Sequence, residues 1–230
     1  MAHDVFPARE YERRVERVRE RLREEDLDAM VVADPANMNY LTGYDGWSFY
    51  VHQAVVVAVE RAEPVWIGRS MDANGARATT HLSEESIRAY SDDHVHSPRD
   101  LHPMDYVATV LDDLDVADGR VGLEMDASYF TAKSYTRLRS NLPDAEFADH
   151  TLLVNWTRVK KSEREIELMR EAARISENAM RAGIDAIEAG VPEYEAAAAI
   201  YDALVRGTDE YGGDYPAIVP LMPSGDHTDT

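Results

Sequence analysis

The chain has 230 residues, enough to bury a core as one large domain or two modest ones, and 44% of them are hydrophobic, as in globular proteins. Asp and Glu number 44 against 24 Lys and Arg, a formal net charge of −20 that repels nucleic acid and anionic membranes. There is no cysteine, which excludes disulfides and thiol chemistry and fits a cytoplasmic protein; no apolar run is long enough to span a bilayer, and MAHDVFPARE lacks the apolar stretch of a signal peptide.

The acids are scattered through every segment, and Lys133, Lys160 and Lys161 are the only lysines. At ordinary ionic strength such a surface repels itself, whereas molar salt shortens the Debye length to about 3 Å and relieves it. The charge therefore reads as the mark of a halophilic, salt-accumulating cytosol, and says more about habitat than about substrate.

In chain order, residues 8–25 read as a helix whose apolar stripe is Tyr11, Val15, Val18 and Leu22. Ala29–Ala33 is a short buried strand. Asp34 then has the character of a helix N-cap, with Pro35 at the first helical position and Gly43 as terminator. Gln53–Glu60 and Pro64–Gly68 are β-rich runs joined by a polar turn, an antiparallel hairpin. A weaker strand at Ile87–Tyr90, a helix at Pro103–Leu114, a strand at Arg120–Glu124, a helix at Tyr129–Leu138 and a strand at Ala145–Phe147 follow. Strands mixed with helices predict an α/β domain with a mixed sheet and flanking helices, ending near Trp156. Ser162 and Glu165 form a capping box that opens a long helix to about Glu188, and an Ala-rich helix follows from Glu193 to about Arg206. The tail holds one strand-like run, Ala217–Leu221. The expected domains are 1–156 and 157–230, the second cut off in the middle, because the chain stops at Thr230 soon after a strand that would need partners.

The stretch between the first helix–strand unit and the hairpin is the least ordinary. Tyr44, Trp47, Phe49 and Tyr50 place four aromatic rings within seven positions, together with Gly43, Gly46, Asp45 and His52. Neither helical nor strand periodicity accounts for them, and aromatics on a Gly-punctuated loop suggest a recognition surface. Burial against a neighbouring subunit is the competing reading for the aromatics, and a hydrogen-bonded structural role is the competing reading for His52.

The remaining candidates are weaker. His94 and His96 stand two apart, as metal ligands sometimes do, but Asp92 and Asp93 beside them favour a solvated loop. His102 precedes Pro103 and reads as a helix entry. The acid pairs Glu84/Glu85 and Asp112/Asp113 read as surface, and Lys161 as structural. The glycines Gly212, Gly213 and Gly225 lack the Gly-Lys-Ser/Thr ending of a phosphate loop. His227 is not assigned as a ligand.

Two landmarks now combine. Asn37–Gly43 loosely matches an N-x-x-YLTG signature, and Arg158, Lys161, Ser162, Glu165 and Ile166 match R-x-x-K-S-x-x-E-I. In that order they resemble the creatinase/Xaa-Pro peptidase (M24, "pita-bread") superfamily across the whole chain. The resemblance implies a creatinase-type N-terminal domain followed by the start of a truncated α+β pita-bread domain. The blocks NYLTGYDGWSFYVHQAVVV, MDANGA, HPMDYV, GLEMD, LVNW and GGDYPAIVPLMPSG are similar to the ectoine hydrolase branch. That branch implies hydrolysis of a non-peptide C–N bond in a cyclic amidine; a metal-dependent Xaa-Pro dipeptidase, or a non-catalytic fragment or dimerisation module, are the alternatives.

By this resemblance the substrate is a small zwitterion carrying a carboxylate and a delocalised cation. Aromatic faces attract such a cation by about 0.5–2 kcal/mol. Trp47, Tyr50, Phe49 and Asp45 are the expected substrate-binding residues and His52 the expected catalytic group, moving a proton near neutral pH. The superfamily's dimers imply a homodimer in which the 44–52 loop serves either its own or the partner's pocket. Its peptidases hold two divalent metals on two aspartates, a histidine and two glutamates, at positions that would fall beyond Thr230. No metal ligand is assigned within the chain, and whether the metals are kept, as in peptidases, or lost, as in creatinase, stays open.

Overall fold

Successive residues of the central strands turn to opposite faces of one sheet, and each face has its own core. The computed structural model describes residues 5–95, 100–216 and 218–225. They group into two compact units, Met1–Lys160 and Lys161–Thr230.

The first unit is built on strands β1 (Ala29–Val32), β2 (Ala54–Ala58), β3 (Val65–Arg69), β4 (Ile87–Tyr90), β5 (Arg120–Leu123) and β6 (Glu146–Asp149). Their order in the sheet is β4-β3-β2-β1-β5-β6. β2 pairs antiparallel with both β1 and β3, while β1/β5, β3/β4 and β5/β6 are parallel. The mixed sheet expected from the sequence is therefore present, with the β2–β3 hairpin covered by β4 on one side and β1 on the other.

Ala29, Val31, Val56, Ile67, Val121 and Leu123 face helices α4 (Pro103–Asp113) and α5 (Ala132–Asn141). Met30, Val32, Val55, Val57 and Trp66 face α1 (Ala8–Glu24), α2 (Pro35–Thr42), α3 (Ala73–Thr79) and α6 (Leu153–Val159). Because β1 and β2 are buried on both sides they read as apolar runs without alternation. Each fully buried Val or Leu side chain in these layers contributes about 1.5–3 kcal/mol.

Helix α2 is punctuated as its sequence demands. The Asp34 carboxylate accepts from the N–H groups of Ala36 and Asn37 at 2.9 and 3.1 Å. Gly43 ends the helix at φ +79°, and a Cβ there would meet the Tyr11 hydroxyl at 2.8 Å. The second unit holds α7 (Glu163–Ala186) and α8 (Glu193–Arg206), which pack on each other. The Ser162–Glu165 capping box is formed in both directions.

Two expectations are corrected, and two helices are added. The helix placed at Tyr129–Leu138 is α5, which starts at Ala132 because Thr131 and Ser134 cap it reciprocally. That leaves Tyr129 in the preceding turn, half on the surface. The run Ala217–Leu221 contains a residue outside the described set, and Ile218–Leu221 belong to no strand. Helices α3 and α6 went unforeseen; neither has a capping side chain and both are only seven residues long.

A candidate site at the 44–53 loop

Tyr44 leaves α2 pointing inward. Its ring is buried against Trp66 at 5.1 Å between centroids, so it belongs to the core. The loop is then tied down along its length. Asn39 donates to the Tyr44 carbonyl at 3.1 Å, the Asp45 N–H donates to Thr79 Oγ1 at 3.2 Å, and the Ser48 hydroxyl donates to Asp72. At Gly46 a Cβ would lie 2.1 Å from the Tyr44 hydroxyl, so only glycine lets the chain pass over that ring. Beyond it Trp47 and Tyr50 are 64% and 65% exposed, large values for aromatic side chains.

The exposed rings make a connected set. Phe49 meets Trp47 edge-on at 5.0 Å and Tyr50 and Tyr129 at 6.2 Å each. Arg69, held by Asp72 at 2.9 Å, reaches the Tyr50 hydroxyl at 3.4 Å and lies 5.8 Å from its ring. Phe49, Tyr50, His52, His102, Pro103, Tyr129 and Thr131 border a cavity of about 500 Å³.

His52 sits where the loop enters β2. Its backbone carbonyl accepts from the hydroxyl of buried Tyr90, and its ring Nδ1 lies 3.2 Å from the Tyr129 carbonyl. A nitrogen facing a carbonyl must carry the hydrogen, so Nδ1 donates and Nε2 is left as an acceptor. The His102 ring is 4.9 Å away. It caps α4: His102 Nδ1 accepts from the Met104 N–H at 3.2 Å, while Asp105 accepts from the His102 N–H at 2.8 Å. Desolvation holds the His52 pKa below its ordinary value. Desolvation, with the His52 ring adding to it, brings that of His102 down to about 4. Both rings are neutral near pH 7.

The sequence-derived candidates thus divide between two cavities. Phe49, Tyr50 and His52 share the one with His102 and Tyr129. Asp45 is exposed and borders a separate space of about 240 Å³ with Asn39, Tyr44, Gly46 and Gln53; Phe49 walls both. Trp47 borders neither and stands out toward solvent beside Phe49. His94 also lines the larger cavity, its Nδ1 3.3 Å from the Ser91 carbonyl, while His96 and His227 lie outside the described residues. Sequence reasoning took His102 for a helix entry, which it is, and missed that the same ring meets His52. Among the described residues no three His, Asp or Glu side chains come together to hold a metal ion.

Comparison with known proteins places this geometry in a family. The creatinase/prolidase N-terminal domain matches residues 14–160, and metallopeptidase family M24 matches residues 167–230. An ectoine hydrolase from Halomonas elongata is 46% identical over 226 residues, covering 96% of this chain and 56% of that protein. An uncharacterised hydrolase/peptidase from Sinorhizobium fredii is 46% identical over 215 residues, covering 94% of this chain and 54% of its own length. The chain thus spans about half the length of these curated relatives. An Xaa-Pro dipeptidase from Bacillus anthracis has the same fold, with a TM-score of 0.65 at 21% identity over 84% of this chain and 48% of that one. An X-Pro aminopeptidase from Thermotoga maritima gives a TM-score of 0.64 at 23% identity over 82% of this chain and 48% of its own. The chain belongs to the creatinase/prolidase family: residues 14–160 match the N-terminal domain of that family, and residues 167–230 match metallopeptidase family M24.

Proposed function

We propose that this chain is part of a hydrolase that opens the cyclic amidine of ectoine. In this reading Trp47, Phe49, Tyr50 and Asp45 form a ligand-binding face and His52 handles a proton. The observation that carries the reading is the 46% identity to the Halomonas elongata ectoine hydrolase, sustained over 96% of the chain. The solved peptidases share the fold at 21–23% identity, which speaks to architecture and not to substrate.

The chemistry fits the residues. Water adds to the amidine carbon, one ring C–N bond breaks, that nitrogen leaves as an amine with a proton, and the other stays as an acetamido group. A neutral imidazole with a free Nε2 can take a proton from the water or from an intermediate. Exposed rings such as Trp47 and Tyr50 attract the delocalised amidinium, and Asp45 adds a negative charge on the other side of Phe49. Their exposure supports a pocket completed across a homodimer, and the charge of −20 with no cysteine supports a cytoplasmic, salt-adapted enzyme.

The test is the full-length protein containing this chain, purified in high salt and offered ectoine and an Xaa-Pro dipeptide in parallel. Ectoine turnover is expected, and turnover of the dipeptide alone overturns the reading in favour of a peptidase. Trp47→Ala should raise KM by roughly two- to thirtyfold, the loss of one cation–π contact. Its thermal unfolding should stay unchanged, since Trp47 is mostly exposed; unaltered kinetics would remove the loop from the site.

A further inference from the structure

His52 and His102 come to the larger cavity from distant points of the chain, one entering β2 and the other capping α4, yet their rings lie 4.9 Å apart. Each ring's tautomer is fixed by backbone. The Tyr129 carbonyl requires a hydrogen on His52 Nδ1, and the Met104 N–H requires a bare His102 Nδ1. The two remaining nitrogens are therefore unlike: His52 offers a lone pair at Nε2, and His102 offers an N–H at Nε2. Among the described residues neither has a protein partner. The nearby carboxylate of Asp105 is occupied by Arg137, Asn141 and the His102 N–H, and its charge acts on His102 against the opposing charges of Arg137 and Lys133.

We infer that the pair reads a neutral group presenting one N–H beside one carbonyl oxygen, as a cyclic amide does, with His102 as a specificity-determining residue. This rests on the proposed reading that the cavity holds substrate, and adds which atoms the histidines meet. A carboxylate offers only acceptors and sets a negative charge against the His52 lone pair. An amidinium offers only donors and opposes the His102 N–H, so the cation of the proposed substrate rests on the exposed rings of Trp47 and Tyr50 and not between the histidines. His102 cannot answer by changing tautomer without leaving the Met104 N–H unpaired and uncapping α4. An amide satisfies both nitrogens at once. In the hydrolysis proposed above, the amidine has no oxygen; the oxygen of the added water becomes the amide carbonyl. His102 is placed for that oxygen; in the open-chain product the N–H points away from the carbonyl, so only a cyclic amide meets both rings at once.

The experiment uses full-length protein labelled with nitrogen-15 at histidine, near neutral pH, with pyrrolidinone as the cyclic-amide probe and acetate and acetamidinium as controls. Before any ligand, one ring should show the Nδ1–H tautomer and another the Nε2–H tautomer, assigned with His52→Gln and His102→Ser. Two Nε2–H rings, or a charged ring, overturn the inference. Pyrrolidinone should shift both Nε2 signals, with a lower Kd read from those signals than acetate or acetamidinium gives at the same nitrogens; equal or weaker binding there overturns it. His102→Ser keeps an N-cap hydroxyl, so unfolding should hold while pyrrolidinone binds roughly three- to tenfold more weakly. Unchanged binding overturns the role of His102. A protein that hydrolyses ectoine without these shifts keeps the proposed function and loses this inference, whereas the shifts without turnover do the reverse.

Discussion

Glu124, the residue after β5, is a carboxylate in the core, only 1% exposed. Its oxygens accept from the N–H groups of Ala33 and Asp34, both at 2.7 Å, and from Asn37 Nδ2 at 2.6 Å. Asn37 in turn accepts from Arg158 at 2.7 Å, so the group fastens β5, the β1–α2 junction and α6 together. Burial nonetheless outweighs those hydrogen bonds and pushes its pKa up to about 7 from an ordinary 4.5. The folded protein therefore binds more protons than the unfolded chain between those values, and the stability Glu124 lends is full below 4.5 and fades as pH rises to about 7. His102 works the other way: with its pKa lowered from 6.5 to about 4, its share of stability is full above 6.5 and fades as pH falls to about 4. The two slopes oppose each other across overlapping windows. Glu124→Gln should be destabilised overall, because its amide sets N–H against N–H, but the deficit relative to the parent should shrink as pH rises from about 4.5 to 7. Denaturant unfolding of both proteins at a series of pH values checks this; parallel curves would show that Glu124 is ionised throughout.

Helix α2 and the loop after it act as one element, aimed by Gly43. At φ +79° a side chain is strained, and its Cβ would crowd the Tyr11 hydroxyl at 2.8 Å and the Thr79 carbonyl at 3.2 Å. Gly43→Ala should cost about 1–3 kcal/mol in urea unfolding and displace the aromatic loop; a stability change within 0.5 kcal/mol, about the scatter of neutral surface changes, would show that the turn relaxes. This element was legible because its signals are local: Asp34 and Pro35 start the helix, Gly43 ends it, and the apolar hairpin strands follow. Helix α3 was illegible for the opposite reason. Asn74 and Gly75 are poor helix formers, and the seven residues are held by Ala73 and Ala76 in the core beneath. The start of α5 was misplaced because Tyr129 and Phe130 look like helix residues until the Thr131–Ser134 cap is weighed. In the site the same division holds. Composition marked the aromatics but could not say that Tyr44 turns inward while Trp47 and Tyr50 turn out. The meeting of His52 with His102 is tertiary, set by how α4 packs on the sheet, and no local spacing encodes it.

At the scale of the whole molecule the charge of −20 decides how the fold responds to its solvent. Many arginines have an acid close by, among them Arg77 with Glu84, Arg181 with Glu177 and Arg206 with Asp202, and these pairs are mostly exposed. Such pairs are worth about 0–1 kcal/mol each and weaken with salt. The 44 acids outnumber the 24 cations, so after every possible pairing a large excess of like charge remains, and salt relieves its repulsion. The two effects oppose, and the excess should win because the pairs are individually small and solvent-screened already. Full-length protein should therefore unfold at a rising temperature as potassium chloride is raised from low ionic strength toward about 1 M, where the Debye length falls to about 3 Å. Salt also favours association through the exposed Trp47, Phe49 and Tyr50, which would raise the midpoint by a different route. Sedimentation at each salt concentration, with Trp47→Ala alongside, separates them: relief of repulsion leaves the variant's rise equal to the parent's at constant mass, whereas association makes it smaller. A midpoint that falls with salt would mean that the local arginine–acid pairs outweigh the net charge, and would remove the physical basis for reading the acidity as an adaptation to salt.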